Sequence, residues 1–301
     1  MSLKSNERKY AETESENEGS KIKNTLSKNK YILLITSLSY FLCGFSVSVI
    51  SITLKHIGMD FEINAVAQSW IATIFFLSIA IFSLPFGKIA GKIGLKKTFY
   101  LGLFSLAIAS FGAAISNSVE ILIFFRAFQG LSLAILNVST LAILTESMPI
   151  AERGKGIGII TAVAYIGLIA SEVIGGFLTH NFGWQSVFLV TIPFLILTAI
   201  ITYLKVPDEW KFMKEDKFDY IGALIFAVAI SLIIYGLTVI HTLTGLILII
   251  ISIILFLIFG LWELRIKDPM YPVKILKTSS SLLQVLQLYY VHLQLLQFCI
   301  L

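Results

Sequence analysis

The chain has 301 residues, of which 57% are hydrophobic and only 14% are charged, and its mean hydropathy is +0.88. A soluble domain is typically about half apolar and about a quarter charged, so this composition excludes a water-soluble globular fold and a disordered chain. A net charge of +5 would suggest nucleic-acid binding in a soluble protein, whereas here the distribution of the charges is more informative. The composition predicts an all-α polytopic membrane protein.

Residues 1–30 differ from the rest of the chain, because they hold seven basic and five acidic side chains and few large apolar ones. We predict a disordered, solvated tail there. Eight apolar runs follow, each near the roughly 20 residues that a helix needs to cross a bilayer. Backbone groups in lipid must pair within their own segment, so each run is predicted to be a helix. The predicted spans are residues 31–54, 70–86, 98–116, 121–145, 157–179, 184–204, 220–240 and 243–262.

The positions of Lys and Arg predict the topology. All but two of the 23 cationic side chains fall in the tail or in the segments that follow even-numbered spans. The exceptions are Lys55, after the first span, and Arg126, within the fourth. Because cytoplasmic segments are enriched in Lys and Arg, the N-terminus is predicted to be cytoplasmic. The expected localisation is the cell membrane, with multiple spans.

Arg126 lies within the fourth span, in the segment FFRAFQGLSLAILN. A guanidinium in lipid is costly unless it is paired or hydrated, so its presence indicates a functional cavity. The alternative is an arginine that snorkels to the interface or ties helices together. Gln129 follows almost one turn later and can share the same face, and Asn137 lies further along the span. Both are candidates for lining a substrate cavity.

Glu172 lies in the middle of the fifth span, in YIGLIASEVIGGF. A carboxyl group there can be neutral in the membrane and ionise as the protein rearranges, which is the property that a proton-coupled carrier needs. The alternative is a protonated packing residue held by hydrogen bonds. Gly167, Gly175 and Gly176 surround it and predict a small-residue face for close helix packing.

No P-loop, metalloprotease or serine-hydrolase motif occurs in the sequence, and no metal ligands cluster in it. We therefore expect no enzyme activity, no catalytic residues, no metal and no cofactor. The two cysteines, Cys43 and Cys299, lie far apart in apolar sequence, so they imply no disulfide framework.

Two segments carry a resemblance to a known family. Residues 87–97, GKIAGKIGLKK, are similar to the signature G-x-L-A-D-R-x-G-R-K-x, and Arg126, Gln129 and Gly130 resemble R-x-x-Q-G. These are the first and second signatures of the major facilitator superfamily.

Further segments resemble one branch of that superfamily, the fourteen-span drug:proton antiporters. Residues 171–176, followed by Trp184 and Phe188, are similar to G-P-x-x-G-G…W-R-x-x-F. FDYIG at 218–222 and WELRIKDPMYPVKIL at 262–276 resemble the sequences that flank the extra helix pair of the branch.

The resemblance implies four parts: the tail, a six-helix lobe at 31–204, a linker with an extra helix pair at 205–264, and a cytoplasmic segment with an aberrant hydrophobic C-terminus at 265–301. It also implies alternating access, in which two lobes rock around a central site and proton movement drives export. In that picture Arg126 and Glu172 are the proton-coupling candidates. The connection after the second span is a conformational latch, and its candidate residues are Gly87, Lys92, Gly94, Lys96 and Lys97.

The sequence departs from the branch at two of these places. Gly91 stands where the first signature has Asp and Lys92 stands where it has Arg, so the acid that would pair across helices is lost. Ser171 and Glu172 replace the Gly-Pro pair in the fifth span. Without that proline, the helix is predicted to be straighter.

From Thr278 onward the sequence has no formal charge, and Leu, Gln and Ser dominate it. Two explanations remain open, an unusual ninth helix at the end of a fragment or a frameshift near residue 278, and both imply truncation after the eighth span.

The first functional hypothesis is a proton-coupled exporter of amphipathic small molecules or drugs. The alternative is a transporter remnant without independent transport, acting as a membrane interaction partner. The expected partners are a small-molecule substrate, protons, the lipid bilayer and a second lobe supplied by another chain, with no nucleic acid.

Overall fold

The computed structural model describes residues 2–206, 209–211, 218–266 and 268–270, with side chains from residue 29 onward. Within these ranges the backbone forms α-helices and no β-strand. The helices are α1 (Ser2–Asp60), α2 (Ala65–Ile93), α3 (Leu95–Ala114), α4 (Val119–Ser147), α5 (Ile150–Phe182), α6 (Ser186–Leu189), α7 (Thr191–Lys205), α8 (Tyr220–Thr238) and α9 (Leu243–Arg265).

Eight of the described helical segments are long and apolar enough to cross a membrane, which confirms the prediction of an all-α polytopic membrane protein. The first is Asn29–Asp60 within α1, and the sixth, Ser186–Lys205, combines α6 and α7. Observed and predicted ends differ by up to seven residues, because several helices continue past their apolar run into polar sequence. Hydropathy detects only the part of a helix that lies in lipid.

The helix α1 runs without a break from Ser2. The backbone of residues 2–30 is therefore helical, whereas the sequence analysis predicts a disordered tail. The segment has no proline and only one glycine, Gly19, and it is rich in Lys and Glu, which have high helix propensity. Nothing in it ends a helix that continues into the first span.

Glycines set the distance between α1 and α5. A Cβ added to Gly167 would overlap the carbonyl oxygen of Phe41, and one added to Gly44 would overlap the carbonyl oxygen of Ala164. Such backbone contact requires residues without side chains, which is how small residues promote helix association in membranes.

The other two glycines of the predicted small-residue face differ from each other. A Cβ on Gly175 would lie 2.8 Å from Cγ2 of Val49 in α1, whereas a Cβ on Gly176 would meet no atom within 4 Å. Gly176 therefore lies outside this contact, because it follows Gly175 by about 100° around the helix. The helix α5 runs unbroken through Ser171 and Glu172.

Two apolar clusters fill the bundle. One contains Phe75, Phe99 and Leu103, and the other contains Ile71 and Leu122 together with further side chains from α1, α6 and the end of α3. Phe75 and Ile71 stand one turn apart on α2, so the two clusters meet along this helix.

The helices α8 and α9 pack against each other. Ser252 in α9 donates a hydrogen bond to the carbonyl oxygen of Ala229 in α8 at 2.7 Å. At the start of α8, the Asp219 carboxylate accepts the Gly222 N–H at 2.9 Å and the Trp262 indole N–H at 3.0 Å. These contacts join the FDYIG and WELR segments. The division of the chain into a six-helix lobe and an added helix pair stays a prediction.

The predicted aberrant C-terminus falls mainly on residues 271–301, which lie outside the described residues.

Replacing Gly167 with Ala should lower the free energy of unfolding by about 1–3 kcal/mol, because the new methyl group overlaps the Phe41 backbone. Gly176→Ala is the matched control, since it gives the same gain in helix propensity and meets open space. Thermal unfolding of both variants in detergent measures the difference. Equal melting temperatures for the two variants would contradict this account of the contact.

Candidate functional site

Arg126 is fully buried between the two apolar clusters. Its Nε–H donates a hydrogen bond to the carbonyl oxygen of Ile71 at 3.3 Å, and its guanidinium carbon lies 4.0 Å from the centroid of the Phe75 ring. A ring face at this distance attracts a cation, so α2 provides both a hydrogen-bond acceptor and a π surface for the charge.

The rest of the site comes from α4 and α3. Arg126 Nη1 donates to Oε1 of Gln129 at 2.9 Å, and Gln129 Nε2 donates to Oγ of Ser110 on α3 at 2.9 Å. Residues three apart on a helix lie on the same side, which explains the first contact and agrees with the sequence analysis. The chain of hydrogen bonds connects α2, α4 and α3.

Gly130 lets α2 approach closely enough for the Ile71 carbonyl group and the Phe75 ring to contact Arg126. A Cβ at this position would overlap the carbonyl oxygen of Phe75 and lie 2.8 Å from the Cβ of Ser78. Any larger residue would push α2 away and separate Arg126 from the Ile71 carbonyl group.

The partners of the guanidinium are all neutral within the part of the chain that the structure describes. Arg126 Nη2 is buried and makes no hydrogen bond to any described residue. A buried cation with neutral partners is costly to retain, and in membrane proteins such groups commonly mark functional sites. Full burial also shows that Arg126 does not snorkel, and it does tie helices together.

The two predicted cavity residues lie in different environments. Gln129 is only 2% exposed and belongs to the Arg126 network, so it does not face an open cavity. Asn137 is half-buried, and its amide makes no hydrogen bond to a described residue. It stands about 16 Å further along α4 than Arg126, on nearly the same side.

Glu172 projects from α5 at an exposed position. Its Oε1 accepts a hydrogen bond from Oγ of Ser48 on α1 at 2.5 Å. Nothing in the sequence pairs these residues, because 124 positions separate them. No hydrogen bond or ion pair joins Glu172 to Arg126 within the described ranges.

Glu172 shares one side of α5 with Thr161 and Tyr165, at helical spacings of four and seven residues, and all three side chains are exposed. Ile169, which is 67% exposed, lies on the same side between Tyr165 and Glu172. The exposed side chains of Ile166, Val173 and Phe177 lie about a third of a turn away around the helix.

The predicted latch is almost entirely helical, which corrects the expectation of an eleven-residue connection. Gly87 and Lys92 lie in α2, while Lys96 and Lys97 lie in the first turn of α3. Only Gly94 separates the two helices, with a φ of 116° that favours glycine. Lysines are good helix formers, and the connection contains no proline to end α2 earlier.

A later segment docks onto this junction. The Leu95 N–H donates to the carbonyl oxygen of Trp210 at 2.9 Å, and the Lys96 N–H donates to Oε1 of Glu209 at 3.0 Å. A Cβ on Gly94 would overlap the Glu209 carboxylate. The sequence analysis missed this acid, which reaches the latch from the segment between α7 and α8.

Lys88 is a further residue that sequence reasoning missed. It is only 8% exposed, and its Nζ donates to the carbonyl oxygens of Asp268 and Pro269, the latter at 3.3 Å. A buried ammonium group needs such acceptors.

Trp184 and Phe188, the aromatic residues of the antiporter-like signature, lie at the far end of α1. The Trp184 indole N–H donates to Oδ2 of Asp60 at 2.6 Å, and its ring contacts Phe61 and Phe188. These residues hold the end of α1 against the turn between α5 and α6. Among the described residues, no group of three or more His, Cys, Asp or Glu side chains could hold a metal ion.

A family model described as the Major Facilitator Superfamily matches residues 36–261. The chain belongs to this superfamily. The range covers all the sites above except the carbonyl partners of Lys88, Asp268 and Pro269, which follow it in sequence.

Several transporters of the superfamily are similar in sequence. The riboflavin transporter RibZ of Clostridioides difficile is 32% identical over 254 residues, covering 84% of this chain and 56% of the relative. The multidrug resistance protein Stp of Mycobacterium tuberculosis is 27% identical over 205 residues, covering 68% of this chain and 38% of the relative. The tetracenomycin C resistance and export protein of Streptomyces glaucescens is 26% identical over 206 residues, covering 68% of this chain and 38% of the relative. The chain spans about half the length of the first of these relatives and less of the other two.

Solved structures of the superfamily share the fold. A peptide transporter POT in complex with sulfate aligns with a TM-score of 0.60 at 15% identity, covering 78% of this chain and 53% of that one. A D-xylose–proton symporter aligns with a TM-score of 0.51 at 16% identity, covering 59% and 48%.

Gln129→Leu should destabilise the bundle by about 3 kcal/mol, because it leaves a second guanidinium nitrogen without a partner. Ser110→Ala should cost only about 1 kcal/mol, since Gln129 keeps its bond to Arg126. Thermal unfolding in detergent ranks the two variants. A cost for Ser110→Ala that equals or exceeds that of Gln129→Leu would be inconsistent with a network centred on the charge.

Proposed function

We propose that the chain forms the N-terminal part of a proton-coupled exporter of amphipathic small molecules that works by alternating access. The observation that carries the proposal is the buried Arg126, whose charge has only neutral partners within the described residues. Membership of a transporter superfamily supports the same assignment. We further propose that the chain belongs to the fourteen-span drug:proton antiporter branch.

Glu172 is the proposed proton-binding group, and Arg126 is the proposed fixed positive charge of the coupling network. The Glu172 carboxyl group accepts the hydrogen bond from Ser48, and protonation would add an O–H donor that can reverse this bond. Such a reversal would change the contact between α1 and α5. Thr161 and Tyr165, on the same side of α5, are the proposed polar groups along the route of the proton to this side chain.

Asn137, Thr161 and Tyr165 are the proposed polar groups of the substrate cavity. A pocket for amphipathic compounds combines apolar walls with a few such groups. The similarity to the relatives named for multidrug resistance and tetracenomycin C export supports a drug-like substrate. Riboflavin is the second candidate, because RibZ shares more identity over more of the chain than those relatives do.

The proposed orientation places the N-terminus and the α2–α3 junction on the cytoplasmic side, as the bias of Lys and Arg favours. In this orientation the latch residues Lys92, Lys96 and Lys97 face the cytoplasm. We propose that the second lobe that alternating access requires is supplied by further polypeptide or by another chain.

Expression of the chain in efflux-deficient cells should lower the retention of a fluorescent cationic dye relative to an empty vector, because an exporter removes the dye from the cytoplasm. Fluorescence of riboflavin in the same cells tests the second substrate. Retention equal to the empty vector for both compounds would contradict export by this chain and favour the transporter remnant.

Glu172→Gln should abolish the dependence of transport on the proton gradient, because the amide cannot exchange a proton. Dye efflux from energised cells with and without a protonophore measures this dependence. Ser48→Ala removes the hydrogen bond through which protonation is proposed to act but keeps the carboxyl group, so it should weaken the dependence without abolishing it. Glu152→Gln, at an exposed position in the first turn of α5, controls for loss of an acid. Unchanged proton dependence in Glu172→Gln would end the assignment.

A further inference from the structure

Both ends of the α8–α9 hairpin meet the same junction between α2 and α3. Residues 209–210 lead into α8 and contact the start of α3, while residues 268–269 follow α9 and contact Lys88 near the end of α2. The two attachments are independent, because they use different atoms of the junction and segments about 60 residues apart in sequence.

The first attachment provides acceptors for the N–H groups at the start of a helix. Leu95 and Lys96 are the first two residues of α3, and such N–H groups have no partner within their own helix. The Trp210 carbonyl group and the Glu209 carboxylate accept them at 2.9 and 3.0 Å. A negative charge at this end of a helix is favourable, so Glu209 suits the position.

The second attachment satisfies a buried cation. Lys88 is in α2, six residues before Gly94, and its ammonium group is largely removed from solvent. The carbonyl groups of Asp268 and Pro269 are its acceptors, and both follow the end of α9. Replacing the lysine would leave these carbonyl groups without this donor.

A third contact lies near the other end of α2. The rings of Trp70 in α2 and Tyr235 in α8 have centroids 5.9 Å apart. Because Trp70 is near the start of α2 and Tyr235 is near the end of α8, the two helices run antiparallel. The hairpin therefore follows α2 between the junction and this aromatic pair.

We propose that Lys88 and Glu209 are positioning residues that fasten the α8–α9 hairpin to the α2–α3 junction at both of its ends. The hairpin then moves with α2 and α3 as one body during transport. Glu209 also gives the junction an acid, although Gly91 occupies the signature position where an acid is expected. The role in transport that we assign to Lys88 and Glu209 rests on the proposed function. The attachment of the hairpin rests only on the contacts described above.

The test combines hydrogen exchange with transport in the full chain. Glu209→Ala should speed amide exchange at Leu95–Lys97 about tenfold, the effect of one lost hydrogen bond of ordinary strength. Lys88→Met should speed exchange at residues 262–270, where its acceptors lie. Both variants should lower the initial rate of dye efflux several-fold. Glu209→Gln and Lys88→Arg keep an acceptor and a donor respectively, and each should restore part of the loss.

Two controls match these changes. Glu152→Ala removes an exposed acid from the start of α5, and Lys155→Met removes an exposed lysine from the same helix. Neither should alter exchange at the junction or the efflux rate. Unchanged exchange in both Lys88→Met and Glu209→Ala would overturn the double attachment.

Transport separates this inference from the proposed function. If the unaltered chain exports dye and both variants export at the same rate, the positioning role is wrong while the function stands. If the unaltered chain exports nothing, the proposed function fails, and the exchange data alone decide whether the hairpin is attached at both ends.

Discussion

A positive charge enclosed by apolar helices is the constraint on which the arrangement of the second, third and fourth spans depends. The guanidinium of Arg126 cannot reach water, so each of its nitrogens must find an acceptor inside the bundle or remain unsatisfied. Two nitrogens find one, on α2 and on α4 itself, and the acceptor on α4 is held by α3. The mutual placement of three helices is therefore tied to one side chain, and the third nitrogen is left free of described partners.

Glycines, which lack a side chain, are as important for the contacts between these helices as the charged residues are. Apolar helices gain little from burying apolar surface against each other in lipid, so van der Waals contact determines which helices associate. Gly130 brings α2 to Arg126, and Gly44 and Gly167 bring α1 to α5, where Ser48 meets Glu172. In both cases a glycine contact brings a charged or ionisable side chain of one helix to a neutral partner on the next. The close glycine contacts therefore make the polar contacts within the membrane possible.

Local features of the sequence predicted most of the fold and part of the site. Apolar runs located all eight spans, and the spacing of Arg126 and Gln129 predicted their shared face, which their hydrogen bond confirms. The missed contacts join residues remote in sequence, such as Lys88 with Pro269 and Lys96 with Glu209. No periodicity records such pairs. The misjudged junction at 87–97 has a different cause, because polar residues that continue a helix outside lipid resemble a loop in hydropathy.

The attachment of Glu209 to the start of α3 also has a consequence for biosynthesis. A chain is made from its N-terminus at about 5–20 residues per second, so Glu209 emerges on the order of ten seconds after Lys96. During that interval α3 has entered the membrane while its first N–H groups lack the acceptors that the finished protein gives them. Asp268 and Pro269, whose carbonyl groups accept from Lys88, are synthesised later still. The junction between the second and third spans is thus among the last parts of the described chain to be completed, although it is among the first to be made.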